Sequence, residues 1–176
     1  MNSVTNLIEP TTDLLVNYIE ANIQTALAAV RTARNSVQNL GIPTPPFQEY
    51  FITRGYSAYP APALFVVCDD MDFHKERGAN YIASVARYTF AAISEGQTNE
   101  IVARANWRYQ TALCRLLDNL ELTSTDGSLK IVVVVKTADF SEEYDASQTS
   151  GNTAKAWRKE CHLRCDVNIF EALGGP

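Results

Sequence analysis

The chain has 176 residues, 46% of them hydrophobic and 20% charged, with 15 Lys and Arg against 20 Asp and Glu. That length suits one domain over residues 1–176 that hides roughly 70% of its unfolded surface, and the composition excludes a disordered or low-complexity chain. A net charge of -5 argues against a duplex-DNA binder, which needs a basic footprint to displace counterions.

No apolar run approaches the roughly 18 residues of a membrane span, so no membrane partner is expected. The longest such run, Ile131 to Val135, is strand-sized. Met1 to Thr5 lacks a basic-then-apolar leader, so no secretory signal is expected and the chain is read as made inside the cell. Cys68, Cys114, Cys161 and Cys165 are spread along a chain too large to need staples, which fits reduced thiols. On a strand, Cys161 and Cys165 would lie about 13 Å apart, too far to bond each other. His162 would face away from both, so a zinc site is not expected there.

From Thr12 to about Asn39, Leu14, Leu15, Tyr18, Ile19, Ile23, Ala26, Leu27, Val30 and Val37 recur at three- and four-residue steps, predicting a helix about 40 Å long. Thr11 or Thr12 can cap its start after Pro10, and Gly41 with Pro43 ends it. From Pro43 to Pro62 the character changes to an arm in which prolines interleave with Phe47, Tyr50, Phe51, Tyr56 and Tyr59. Proline fixes φ and removes a donor, so the arm is read as irregular with at most one short strand. Its aromatics either fold back on the domain's own core or anchor a neighbour.

Ala63 to Cys68 reads as a buried strand, Asp69 to Gly78 as a polar connection, and Tyr81 to about Ser94 as a long alternating strand, the two most simply antiparallel. Thr98 can cap a second helix to about Leu120, with Ile101, Val102, Ala105, Tyr109, Ala112, Leu113, Leu116, Leu117 and Leu120 as its apolar stripe and Arg104, Arg108, Arg115 and Asp118 on the rest. Thr123 to Gly127 is a turn. Lys130 to about Thr137, apolar and β-branched, is expected to be covered on both faces and central in the sheet. Asp139 to Thr153 is a long polar loop. In the last strand Trp157, Cys161, Leu163, Cys165, Val167 and Ile169 face one way and Arg158, Glu160, His162, Arg164, Asp166 and Asn168 the other. The expected fold is α+β: an α-β-β-α-β-β order with a four-stranded, mostly antiparallel or mixed sheet packed by two helices.

Enzyme chemistry is sparse. There is no G-x-S-x-G elbow, Gly-rich phosphate loop or C-x-x-C pair, and His74 and His162 are the two histidines. The one chemical-looking cluster is Asp69, Asp70, Asp72, His74 and Glu76. On an extended chain Asp70, Asp72 and His74 would share a face that could bind Mg²⁺ or Mn²⁺, the basis of a small metal-dependent hydrolase. The alternative is a solvated hairpin tip, and the loop charges Asp139, Glu142, Glu143 and Asp145 have the same two readings. On balance the residues predict no enzyme, no cofactor and no metal.

The order of elements carries a resemblance. A long N-terminal helix leads into the Pro-rich approach Tyr59-Pro60-Ala61-Pro62-Ala63-Leu64-Phe65-Val66-Val67. A long second strand precedes a helix containing Arg108-Tyr109-Gln110-Thr111-Ala112-Leu113, and a final hairpin is split by an acidic loop. Over residues 12 to 171 this resembles the tail terminator (minor tail protein) family of long-tailed bacteriophages. The resemblance implies a structural virion protein that forms a hexameric ring at the head-proximal end of the tail tube, halts tube polymerisation and meets head-completion or neck proteins. The implied partners are copies of itself, the tail tube protein, a neck protein and genomic DNA in transit. A head-tail joining protein docked on the portal side is the alternative.

A closed ring needs two different complementary patches on each protomer. The expected interface or lumen residues are Asp69, Asp70, Asp72, Glu142, Glu143 and Asp145 from the acidic segments, Tyr50, Phe51, Tyr56 and Tyr59 from the arm, and Arg158, Glu160 and Arg164 from the last strand. Acidic walls suit a conduit through which DNA slides, because each phosphate-binding cation would add drag.

Overall fold

In the computed structural model the described residues are 7–38, 41–53, 60–78, 81–141, 144–145 and 157–172. The three- and four-residue spacing of Leu15, Ile19, Ile23, Leu27 and Val30 builds α1, Ile8–Gln38, with all five side chains buried. The helix begins earlier than Thr12. Pro10 falls within its first turn, where a missing N–H costs no helical bond. Thr12 is therefore not a cap: its hydroxyl donates to the Ile8 carbonyl at 2.7 Å. At 31 residues α1 is about 46 Å long, and from Arg31 to Val37 its side chains are mostly exposed, so its last two turns run past the core. Gly41, at φ 56°, takes the left-handed conformation that carries the chain away.

The strands are β1 (Glu49–Phe51), β2 (Ala63–Arg77), β3 (Tyr81–Gly96), β4 (Glu121–Thr123), β5 (Leu129–Phe140), β6 (Tyr144–Asp145) and β7 (Trp157–Ala172), with α2 (Asn99–Leu117) between β3 and β4. They form one seven-stranded sheet in the order β1-β2-β3-β7-β5-β4, with β6 also pairing β7. The β1–β2 pair is parallel and the other pairs antiparallel.

The four-stranded sheet expected from the sequence is thus overturned, and so is the simple α-β-β-α-β-β order. The three added strands are short pieces with little apolar alternation of their own, recruited by pairing with long neighbours. The stretch Asp69 to Arg77 is strand, not a polar connection. The apolar run at Ile131 is not central either. β5 lies one strand from the β4 edge, and Val132 and Val134 are only half-buried. The centre belongs to β3 and β7, paired from Tyr81↔Ala172 to Gly96↔Trp157 with no register shift.

That unbroken ladder sorts the side chains. Ala86, Tyr88, Phe90 and Ala92 of β3 and Cys161, Leu163, Cys165, Val167 and Ile169 of β7 meet the helices in the main core, together with Leu64, Val66, Ile131 and Val133. Over them lies α2, capped by the Thr98 hydroxyl accepting from the Ile101 N–H and ended at Asn119, which adopts φ 57°. Beside it α1 packs on α2 and lies over β2. Neither helix is long and apolar enough to cross a membrane.

The Tyr88 hydroxyl fastens α1 to the central strand. With the Thr12 hydroxyl donating to the Ile8 carbonyl, the Tyr88 hydroxyl donates to the Thr12 oxygen at 2.9 Å and has the Ile8 carbonyl as a second acceptor 3.2 Å away. Tyr88→Phe and Thr12→Val should each cost about 1 kcal/mol. Because both lose the same bond, the double variant should cost less than the sum in urea unfolding. Full additivity would show that the bond is not a shared anchor.

Candidate functional site

Two charged surfaces stand out, one on each side of the sheet. On the face turned away from the helices, the odd-numbered residues of β3 and the even-numbered residues of β7 meet across the ladder. Arg87 donates to Asp70 at 2.6 Å and to Asp72 at 3.1 Å, and the Thr89 hydroxyl donates to Asp69 at 2.5 Å. Arg158 pairs with Glu95 at 2.7 Å, Arg164 with Asp139 at 3.1 Å, and Lys136 with Asp166 at 3.2 Å. His162 sits between Asp139 (2.9 Å from Nδ1) and Glu160 (3.2 Å from Nε2).

A register shift between Cys68 and Asp70 explains how neighbours in sequence can share this face. With one extra residue in β2, Asp69 and Asp70 reach Thr89 and Arg87, two positions apart on β3. Asp70 and Asp72 are therefore held by a guanidinium in the position a divalent cation would need. The side chains of His74 and Glu76 lie outside the described residues. Among the described residues no group of three or more His, Cys, Asp or Glu is arranged to hold a metal. All four cysteines are free, and burial pushes the thiols of Cys161 and Cys165 up to about 12, far from the thiolate a metal or nucleophile requires.

The structure thus gathers Asp69, Asp70, Asp72, Arg158, Glu160 and Arg164 onto one face, although they come from two separate segments of sequence. The aromatic arm behaves differently. Phe47 stacks on Tyr109 at 4.9 Å between centroids, Tyr50 meets Phe47 edge-on at 6.0 Å, and Phe51 stacks on Phe65 at 4.8 Å. The described part of the arm folds back on its own domain. Tyr56, Tyr59, Glu142 and Glu143 lie outside the described residues, as does the side chain of Asp145 on β6.

On the helix side lies a basic groove that local sequence patterns do not foreshadow, about 360 Å³ between α1 and α2, lined by Arg34, Arg104, Trp107, Arg108, Gln110 and Thr111. Arg108, expected on the solvent face of α2, is only 3% exposed. It donates to the Ile42 carbonyl at 2.8 Å and to Asn35 Oδ1 at 2.7 Å, tying the end of α1 and the start of the arm to α2. Burial lowers its pKa first, and the like charges of Arg104, Arg31 and Arg34 lower it further. Trp107, half of whose surface is exposed at 51%, flanks the same groove. The i,i+4 spacing of Arg104 and Arg108 was visible in the sequence, but the packing of α2 against α1 that brings in Arg34 was not.

A second groove of about 420 Å³ opens between α1 and the segment before β1, lined by Glu20, Ile23, Gln24, Phe47, Glu49 and Tyr50 among others. Burial, then the Glu20 charge, pushes the Tyr50 phenol up to about 12.

No family model matches the chain, and no curated protein matches it. Among solved structures, a chain from the virion of a native gene transfer agent particle is similar over 93% of this chain and 99% of its own length, at 12% identity and a TM-score of 0.46.

The His162 imidazole gives the charged face a pH dependence. Its pKa is raised above 6.5, chiefly by the hydrogen bond to Glu160 and, against a desolvation cost, by the bond to Asp139. A raised folded value means that the imidazolium's stabilisation is fully present below about 6.5 and fades as pH rises through the folded pKa. Thermal melts should show His162→Gln less stable than the parent at acidic pH, with the gap closing as pH rises past neutrality. A gap that widens with pH would contradict the bridging role.

Proposed function

We propose that the chain is a structural virion protein of a tail terminator type, acting by contact and not by turnover. In this reading it forms a ring, of six subunits in the family it resembles, that caps the head-proximal end of a tail tube and presents a surface to the neck. Its partners are its own copies, the tail tube protein and a neck protein. DNA passes without being held.

The observation that carries this reading is the sheet face turned away from α1 and α2. Across β2, β3, β7 and β5 it carries ion pairs, and its acids outnumber its bases, while its β2–β3 end holds a small buried apolar cluster of Ala63, Phe65, Ala91 and Ile93. Such pairs contribute little to stability when exposed to water. Their value lies in presenting a rigid, hydrated and net-negative surface, which repels a phosphate backbone and selects a partner by charge pattern. The Asp70–Arg87–Asp72 clasp further supports contact chemistry, since it occupies the carboxylates that a hydrolase would commit to a metal.

The test is co-assembly. Purified protein added to polymerising tail tube subunits should stop elongation and appear in negative-stain images as a ring on one end of each tube. Tubes that lengthen unchanged, with the protein bound instead to portal-bearing heads, would remove the terminator assignment. A charge reversal of Asp70 and Asp72 to Lys should leave the ring on the tube but slow DNA passage. Unchanged infectivity of particles carrying that variant would remove the lumen role of this face.

A further inference from the structure

The helix side of the molecule carries two grooves of similar size and opposite charge. Arg34, Arg104 and Trp107 edge one, and Glu20, Glu49 and Tyr50 edge the other. Both open along α1, whose acids Glu9, Asp13 and Glu20 lie in its first two-thirds and whose bases Arg31 and Arg34 lie near its end. The helix macrodipole does not account for this polarity. Its influence falls off within the terminal turns, Glu20 lies three turns inside the helix, and the last turn holds no base.

The internal charge balance does not account for it either. Arg34, Glu20 and Glu49 have no ion pair among the described residues, while Arg104 is paired with Glu100 at 2.9 Å. Arg108, pinned by the Ile42 carbonyl and Asn35, forms a fixed floor under the basic groove, and Arg104 is held by Glu100, so these two cations are placed in advance of any partner. Phe47, stacked on Tyr109, does the same for the acidic groove. Each groove pairs an aromatic ring with charge, the composition that anchors protein interfaces. In a chain of net charge -5, a preformed cluster of arginines has an obvious complement in the chain's own carboxylates.

The geometry points to a self-contact in which the rim of the basic groove on one copy, Arg34 and Trp107 beside Arg104, meets the Glu20–Glu49–Tyr50 rim of the acidic groove on a second copy. This rests on the ring reading for its biological use but not for its physics. The two patches differ, so the contact runs head to tail around a ring, or is made twice across a two-fold axis. Glu20 and Arg34 are separated by about 21 Å along α1, enough for the two contacts to be distinct.

Complementary charge reversal tests it. One variant carries Arg34→Glu with Arg104→Glu, the other Glu20→Arg with Glu49→Arg. Circular dichroism first checks that each retains the parent fold: Arg34, Glu20 and Glu49 are exposed, whereas Arg104 is partly buried on α2, so Arg34→Glu alone serves as the second basic-groove variant. In sedimentation velocity the parent should self-associate, more weakly as salt rises. Each variant alone should self-associate at least about tenfold more weakly. An equimolar mixture should recover parent-like association, since every groove then meets its opposite.

Variants that associate as well as the parent, or a mixture that does not recover, would overturn the groove pairing while leaving the ring reading intact. A parent that forms two-fold pairs rescued in the mixture would support the pairing and remove the ring. A parent that stays monomeric throughout would overturn both.

Discussion

The unbroken antiparallel pairing of β3 with β7 is the constraint on which the rest of the structure depends. A strand's side chains alternate, so a ladder running from Tyr81↔Ala172 to Gly96↔Trp157 without a shift commits every residue on both strands to one face or the other. One face becomes the floor of the core beneath α1 and α2. The other collects Arg87, Thr89 and Glu95 opposite Asp166, Arg164 and Arg158. A one-residue slip of β7 would bury Arg158, Glu160, Arg164 and Asp166 and expose five core residues, so the register that makes the fold stable also creates the charged surface.

The two neighbours of this central pair adapt to it by bulging. β2 shifts register after Cys68, and β5 shifts between Val135 and Thr137. The first shift directs Asp69 and Asp70 to one side, and the second returns Thr137 and Asp139 to the charged face after the apolar run. Bulges therefore extend the ion-pair surface across four strands without disturbing the core.

Much of the scaffold was legible. The spacing of Leu15, Ile19, Ile23 and Leu27 marked α1, Thr98 marked the start of α2, and the alternation from Trp157 to Ile169 assigned both faces of β7 correctly. What the sequence hid has common physical causes. Aspartates disfavour strands on their own, so Asp69 to Asp72 looked like a loop until Arg87 and Thr89 on the adjacent strand supplied partners. The continuous apolar run at Ile131 signalled a central strand, yet an edge-proximal strand with half-buried Val132 and Val134 has the same composition. Arg108 looked like a surface residue because nothing local reveals that Ile42 and Asn35 approach it through tertiary packing. Asp69, Asp70, Asp72, Arg158, Glu160 and Arg164 of the sheet face were named from the sequence, whereas Arg34, Glu20 and Glu49 of the grooves were not. Their pairing, and the basic groove, needed the fold.

In the proposed reading the two sides of the molecule divide the work of assembly. The charged sheet face is hydrated, internally paired and net acidic, suited to facing DNA or an adjoining ring. The helix side carries two grooves of opposite charge, whose Arg34, Glu20 and Glu49 have no ion pair among the described residues. Native mass spectrometry across a concentration series measures the central claim, that this chain is a closed-circle building block, most directly. The account predicts one dominant oligomer, a fixed multiple of the 19.5 kDa chain, with few intermediate masses. A continuous ladder of masses, or a monomer at every concentration, would contradict it.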